Sequence, residues 1–268
     1  MRGALLILAI GAMLACANAR ARQFDAVQDL AQEKAAAVAL FKRRASSQVA
    51  TLAQDRLFAA YLTAATLGEG ERLRRRIEAA LGTLNKRFGI REVTLTDRSG
   101  EFVVRVGDYD KSIAKVDPKL DMVTMAGFAA PARRTAVLHG VTTVVHAAAV
   151  IWREQAEFVL SATQHFAAYK TVLARGLGRR QAVVLIDEKG AVLADSRPGT
   201  NTKILGGMSF DALQRALKGT AEAGAGEVVR GPEHFNVSYK AVDGWTVIAV
   251  ETAEPLRRCS KDGARLCG

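Results

Sequence analysis

Cysteine is scarce in this sequence, with three in 268 residues. They stand at Cys16, Cys259 and Cys267, so nothing between the two ends offers a thiolate nucleophile or a cysteine metal ligand. Aromatic residues are only 6%, and none interleave with the basic clusters at Lys42 to Arg44, Arg72 to Arg76, Arg133-Arg134, Arg179-Arg180 and Arg257-Arg258. A net charge of +11 therefore lacks the stacking platforms of a nucleic-acid binder, and the clusters read as solvated helix faces. A weaker pull on anionic headgroups or anionic small molecules is the other reading. There is no Gly-x-Ser-x-Gly elbow, no phosphate-binding loop and no His-Glu-x-x-His, and Asp108 and Asp110 have no visible acid–base partner. His139 and His146 lie seven apart, which suits neither a strand face nor the i,i+4 pair of a zinc helix. We expect no enzyme chemistry, no metal and no cofactor.

Long apolar runs are also missing, except at the start. Met1-Arg2 followed by apolar Ala4 to Ala15 is shorter than the roughly 20 residues of a spanning helix. Ala17-Asn18-Ala19 supplies the small-x-small pattern of a cleavage site, so residues 1–19 read as a signal peptide. An uncleaved anchor and lipidation at Cys16, in Met13-Leu14-Ala15-Cys16, are the alternatives. The expected location is periplasmic or otherwise exported. Cys259 and Cys267 in the basic tail 257–268 agree with an oxidising compartment. They can close a small disulfide loop of about 2–3 kcal/mol.

Removal of the leader leaves about 250 residues, enough for one large or two modest domains. The 49% apolar content excludes a wholly disordered chain. Gly and Pro are absent from Gln23 to Leu67, where apolar residues recur near helical spacing. That predicts one long helix, or two with a kink, and its stripe is a candidate dimer seam. After Gly68-Glu69-Gly70 a second helix is expected from Glu71 to Phe88, with Gly89 as its stop.

One phrase then occurs twice. Leu95-Thr-Asp-Arg-Ser-Gly-Glu-Phe-Val-Val returns 90 residues later as Leu185-Ile-Asp-Glu-Lys-Gly-Ala-Val-Leu-Ala. An Asp that bonds its own turn and a Gly that accepts positive φ make each a β-hairpin, so two similar modules stand in tandem. Asp97 and Asp187 are turn residues. In the first module the hairpin spans Val93 to Val106, Asp108 to Gly140 is irregular, and strands follow at Val141 to Trp152 and Phe158 to Thr163. In the second, a helix Phe166 to Ala174 and a link Arg175 to Arg180 precede the hairpin Ala182 to Ala194. A loop at Asp195 to Thr202, a helix Ser209 to Lys218, and strands Phe235 to Ala241 and Trp245 to Val250 complete it. The fold class is α+β, with each module an antiparallel sheet carrying helices.

This order resembles the extracellular double Cache domains, PAS-like sensor modules of bacterial receptors. The strongest likeness is in Val184-Leu-Ile-Asp-Glu-Lys-Gly-Ala-Val-Leu-Ala-Asp-Ser196 and Tyr239-Lys-Ala-Val-Asp-Gly-Trp-Thr-Val-Ile-Ala-Val250. The resemblance covers about Gln23 to Leu256. It implies a long helix over 20–67, a membrane-distal module over 68–170 that usually holds a small metabolite, and a membrane-proximal module over 171–256. Such receptors continue into a transmembrane helix and a signalling output, whereas this sequence ends in the polar tail. A free-standing exported form is expected.

A PAS-like pocket lies between a sheet and the segment crossing it, which here is Asp108 to Gly140. Its candidate ligand-binding residues are Tyr109, Arg133, Arg134, His139, Thr142 and His146, because an arginine fork matches a carboxylate. Asp195, Arg197, Tyr239 and Trp245 are the corresponding candidates in the second module, with Trp245 read as core. The tyrosine-, arginine- and tryptophan-bearing motif of the amino-acid-sensing subgroup is not found between Asp108 and Gly140. The expected ligand is a small, anionic metabolite such as an organic acid, with a membrane receptor or transporter and a second copy of the chain as partners. The alternative is a non-catalytic scaffold with a vestigial pocket, assembled through its long helix.

Overall fold

A computed structural model describes residues 2–107, 126–138, 141–197 and 209–253, with side chains described from Phe24 onward except at Trp152. Tyr109, His139, Cys259 and Cys267 lie outside these residues. The chain divides into two compact units, residues 37–172 and residues 1–36 with 173–268. Helix α1 (Arg2–Ala53) contributes to both. Among the described residues, no helix is long and apolar enough to cross a membrane.

The helix ends follow local chemistry. α1 breaks at Gln54-Asp55, where the Asp55 carboxylate accepts from Leu57 N and starts α2 (Arg56–Leu62). The Thr66 hydroxyl accepts from Glu69 N and starts α3 (Leu67–Phe88). This corrects the expected start at Glu71. The cap outweighs the weak helix preference of Gly68 and Gly70, and the buried stripe Leu73, Ile77, Leu81, Leu84 and Phe88 anchors the rest. Gly89 ends α3 at φ +67°.

In the unit of residues 37–172, β1 (Ile90–Asp97), β2 (Phe102–Gly107), β3 (Ala132–Leu138), β4 (Val141–Trp152) and β5 (Gln155–His165) form an antiparallel sheet ordered β2-β1-β5-β4-β3. α4 (Ala167–Ala174) follows. The other unit contains β6 (Gln181–Asp187), β7 (Val192–Asp195), α5 (Phe210–Ala216), β8 (Ala223–Arg230), β9 (Glu233–Val242) and β10 (Trp245–Thr252). Its sheet order β7-β6-β10-β9-β8 is the same. Two tandem PAS-like modules are therefore present, as the repeated phrase predicted. The repeat is detailed. Asp97 accepts from Ser99 N and Glu101 N, Asp187 accepts from Lys189 N and Ala191 N, and Gly100 and Gly190 have φ of +85° and +82°. The Ser99 hydroxyl also donates to Asp97 and, with those backbone donors, holds its carboxyl below the usual carboxylate range.

Two strands depart from the expectation. β3 occupies part of the segment read as irregular, and β8 was not foreseen. Among the described residues both are edge strands, hydrogen-bonded to β4 and β9 respectively.

The sheet of the first unit has two distinct faces. Val93, Leu95, Leu160 and Ala162 pack with Ala45, Val49 and Ala53 of α1 and with the stripe of α3. Strand alternation sends their neighbours to the opposite face. There Val145, Ala147 and Val159 pack with Leu138 and Phe128. The helical turn at residues 126–129 seats itself closely on that face, since a Cβ at Gly127 would lie 2.9 Å from Val159 Cγ1 and 3.0 Å from Ala147 Cβ.

Candidate functional site

The face opposite the helices is where the two modules differ. In the first sheet Leu95 pairs with Leu160 and Val104, and in the second Leu185 pairs with Val247 and Ala194. That alignment places Thr94 where the second sheet has Val184 and Thr96 where it has Ile186. Their neighbours follow suit. Thr94 pairs with Ser161 as Val184 pairs with Ile248, and Glu92 pairs with Thr163 as Ala182 pairs with Val250. Ala147, opposite Ser161, takes the place of Tyr239, opposite Ile248.

In the second sheet these positions make a closed apolar core. Val184, Ile186, Ile248, Val250 and Tyr239 pack with Leu213 and Leu217. The Tyr239 side chain leaves no room, because a Cβ at Gly219 would lie 2.1 Å from its hydroxyl and one at Gly224 would lie 2.6 Å from its ring. Its hydroxyl donates to Thr220 O, and Phe210 meets it edge-on at 5.2 Å. The other candidates of this module also have structural partners. Trp245 is buried, Asp195 accepts from Arg197 N at 2.9 Å, and the Arg197 guanidinium donates to Arg179 O and Gly178 O.

In the first sheet the same positions carry hydroxyls, all buried at Thr94, Thr96, Ser161 and Thr163. Thr96 Oγ1 is buried with no hydrogen-bond partner among the described residues. At the side of this row Arg105 Nη2 donates to Glu92 Oε1 at 3.2 Å, and its guanidinium stacks 4.2 Å from the Phe102 ring. Both side chains are only 11% exposed, so the pair acts in a medium far less screening than bulk water. A polar floor beside the small apolar patch under Phe128 is the chemistry of a small-molecule site. Sequence reasoning missed this floor. The two copies, Val93-Thr-Leu-Thr96 beside Val183-Val-Leu-Ile186, contained the signal.

The sequence-derived candidates divide between faces. Arg134 pairs with Val145 and so belongs to the polar-floor face, exposed at its edge. Arg133 pairs with His146 and Thr142 shares that alternation, which puts all three on the helix face. Arg133 is exposed, Thr142 half-buried and His146 buried. His146 Nδ1 lies 2.8 Å from Ser46 Oγ and Nε2 lies 3.0 Å from Gln164 Oε1. Burial is the main cause that holds its pKa down to about 4, and Arg133 and Lys42 add to it against the Gln164 bond.

A separate cleft of about 440 Å³ lies on the helix side, lined by Glu78, Leu81, Gly82, Asn85, Arg91, Val106 and Gly107. It shares no residue with the polar floor. Among the described residues there is no cluster of His, Cys, Asp or Glu that could hold a metal ion.

No family model matches the sequence, and no curated protein matches it. Solved structures do. The chain is similar to the ligand-binding domain of the Campylobacter jejuni chemoreceptor Tlp3 in complex with L-valine, at 13% identity, over 87% of this chain and 94% of that one, with a TM-score of 0.62. It is similar to the sensor domain of the V. cholerae histidine kinase DctB, at 12% identity, over 87% and 98%, with a TM-score of 0.56. It is also similar to the ligand-binding domain of the Pseudomonas fluorescens chemoreceptor CtaA in complex with L-serine, at 14% identity, over 87% and 98%, with a TM-score of 0.56. These likenesses establish the fold, which this chain shares with those ligand-binding and sensor domains.

Proposed function

We propose that this chain is a non-catalytic, small-molecule sensing protein of the double Cache type, with its ligand on the hydroxyl-lined face of the first sheet. The observation that carries the reading is the exchange between modules. Thr94, Thr96, Ser161 and Thr163 stand where the second module has Val184, Ile186, Ile248 and Val250. Thr96 Oγ1 is buried with no hydrogen-bond partner among the described residues, and a buried hydroxyl is costlier than an aliphatic side chain unless a partner satisfies it. A bound ligand is such a partner.

The ligand is a small anionic metabolite, drawn by Arg134 at the edge of that face. A periplasmic location agrees with residues 1–19 read as a signal peptide, and a membrane receptor or transporter reads the bound state. The likeness to sensory domains of receptors and of a kinase supports this role.

The test is a thermal-shift screen against organic acids, amino acids, amines and purines. A ligand at 100 times its dissociation constant adds about 2.7 kcal/mol, or roughly 5–10 °C. The expected result is a shift confined to organic acids that is reduced in Arg134→Ala. A shift from amines alone, or none from any class in ligand-free folded protein, overturns the reading.

A further inference from the structure

On the helix face, a chain of side chains joins α1 to β4 and to β5, one of the two strands that bear the polar floor. Donor and acceptor roles in it follow from one contact. The Gln164 amide nitrogen donates to the Phe88 carbonyl at 2.7 Å, supplying one of the carbonyls left over at the end of α3 with a partner. Gln164 Oε1 is therefore the atom that accepts from the Tyr169 hydroxyl at 3.0 Å and from His146 Nε2 at 3.0 Å. A neutral His146 with its proton on Nε2 has a bare Nδ1. At 2.8 Å from that nitrogen, the Ser46 hydroxyl has to donate.

Ser46 has a second acceptor within reach, the Lys42 carbonyl one turn back in α1 at 3.2 Å. Its single proton serves one acceptor at a time. A proton arriving on Nδ1 reverses the first contact, because the imidazolium then donates to Ser46 Oγ and the hydroxyl turns to Lys42 O. A displacement of β4 away from α1 has the same effect on the hydroxyl. On the opposite face, His146 is flanked by Val145 and Ala147, and its partner Gln164 is preceded by Thr163.

We infer that the Ser46 hydroxyl is a two-position switch between the long helix and the sheet, thrown by the proton on His146 and by the position of β4. The charged groups facing the ring are Lys42 of α1 and Arg133 of β3, and Tyr169 of α4 closes the chain through Gln164. The second trigger rests on the ligand site proposed above, whereas the first is independent of it.

The test therefore uses protons alone, with the full chain labelled for NMR. At pH 7 His146 is expected as the Nε2–H tautomer. On acidification, the Lys42 carbonyl carbon shift is expected to titrate together with the His146 ring. In Ser46→Ala that co-titration disappears, and the His146 midpoint falls, because the bond lost to the charged ring is stronger than the one lost to the neutral ring. Where the fold is lost before the ring titrates, Gln164→Glu raises the midpoint and the same co-titration is read there. An Nδ1–H tautomer, a Lys42 carbonyl that ignores the titration, or co-titration that persists in Ser46→Ala overturns the inference. None of these outcomes depends on whether a ligand is found.

Discussion

Thr94 and Val184 occupy the same place in the two sheets. Thr94 lies between Arg105 and Ser161, and Val184 lies between Asp195 and Ile248. One module has kept a hydroxyl pair in a buried layer that the other fills with aliphatic side chains. Replacing the hydroxyl pair by aliphatic side chains, as Thr94→Val with Ser161→Val, should leave the sheet folded. It should weaken ligand binding about tenfold or more, the loss expected for a hydrogen bond or two. Calorimetric titration of the double variant with the screened ligand measures this. The reverse exchange, Val184→Thr with Ile248→Ser, should destabilise the chain by about 1–3 kcal/mol per buried hydroxyl left without a partner.

Thr96 separates stability from binding most sharply. Its hydroxyl is fully buried and lacks a partner among the described residues, so Thr96→Val removes an unsatisfied group with little change of shape. The ligand-free protein should gain about 1 kcal/mol, seen as a melting temperature higher by about 2–4 °C. A variant less stable than the parent would contradict an unsatisfied hydroxyl.

Acid should weaken the fold through His146. Its pKa is near 6.5 unfolded and about 4 folded, so the unfolded chain binds the extra proton more readily between those values. The stabilisation is complete above about pH 6.5 and is lost as pH falls toward 4, amounting to about 3 kcal/mol. Urea unfolding of the parent and of His146→Asn at pH 7 and pH 4.5 isolates the contribution. The gap between the two proteins should narrow at the lower pH.

The β4–β5 turn carries strain that its counterpart avoids. Arg153 and Glu154 hold φ of +47° and +66°, whereas β9–β10 turns on Asp243 and Gly244 at +49° and +79°. Tight hairpins of this hand favour Asn-Gly or Asp-Gly. Arg153→Asn with Glu154→Gly should therefore raise stability by about 1 kcal/mol, read in chemical denaturation.

The architecture was legible where local chemistry decides it. The Asp-x-x-Gly turns, the Gly89 stop and the Ser209 cap each act within a few residues, and each stands as read. The edge strands were not. β3 carries Arg133-Arg134 with no clean alternation, and β8 opens on Ala223-Gly-Ala-Gly, so neither has strand propensity of its own. Pairing with a neighbour makes them strands, and Gly224 is there because the Tyr239 ring takes its side-chain space. The helix-face chain was invisible for a different reason. Ser46 and His146 are 100 residues apart, and only the sheet brings them to 2.8 Å. The seven-residue spacing of His139 and His146 said nothing about Ser46.

The most direct measurement is an amide chemical-shift map of the labelled chain titrated with the organic acid that gives the largest thermal shift. The account predicts saturable changes centred on Thr94, Thr96, Ser161 and Thr163 of β1 and β5. Changes centred on Val184, Ile186 and Ile248, or on the α3 cleft at Asn85 and Arg91, with the first sheet undisturbed, would contradict it.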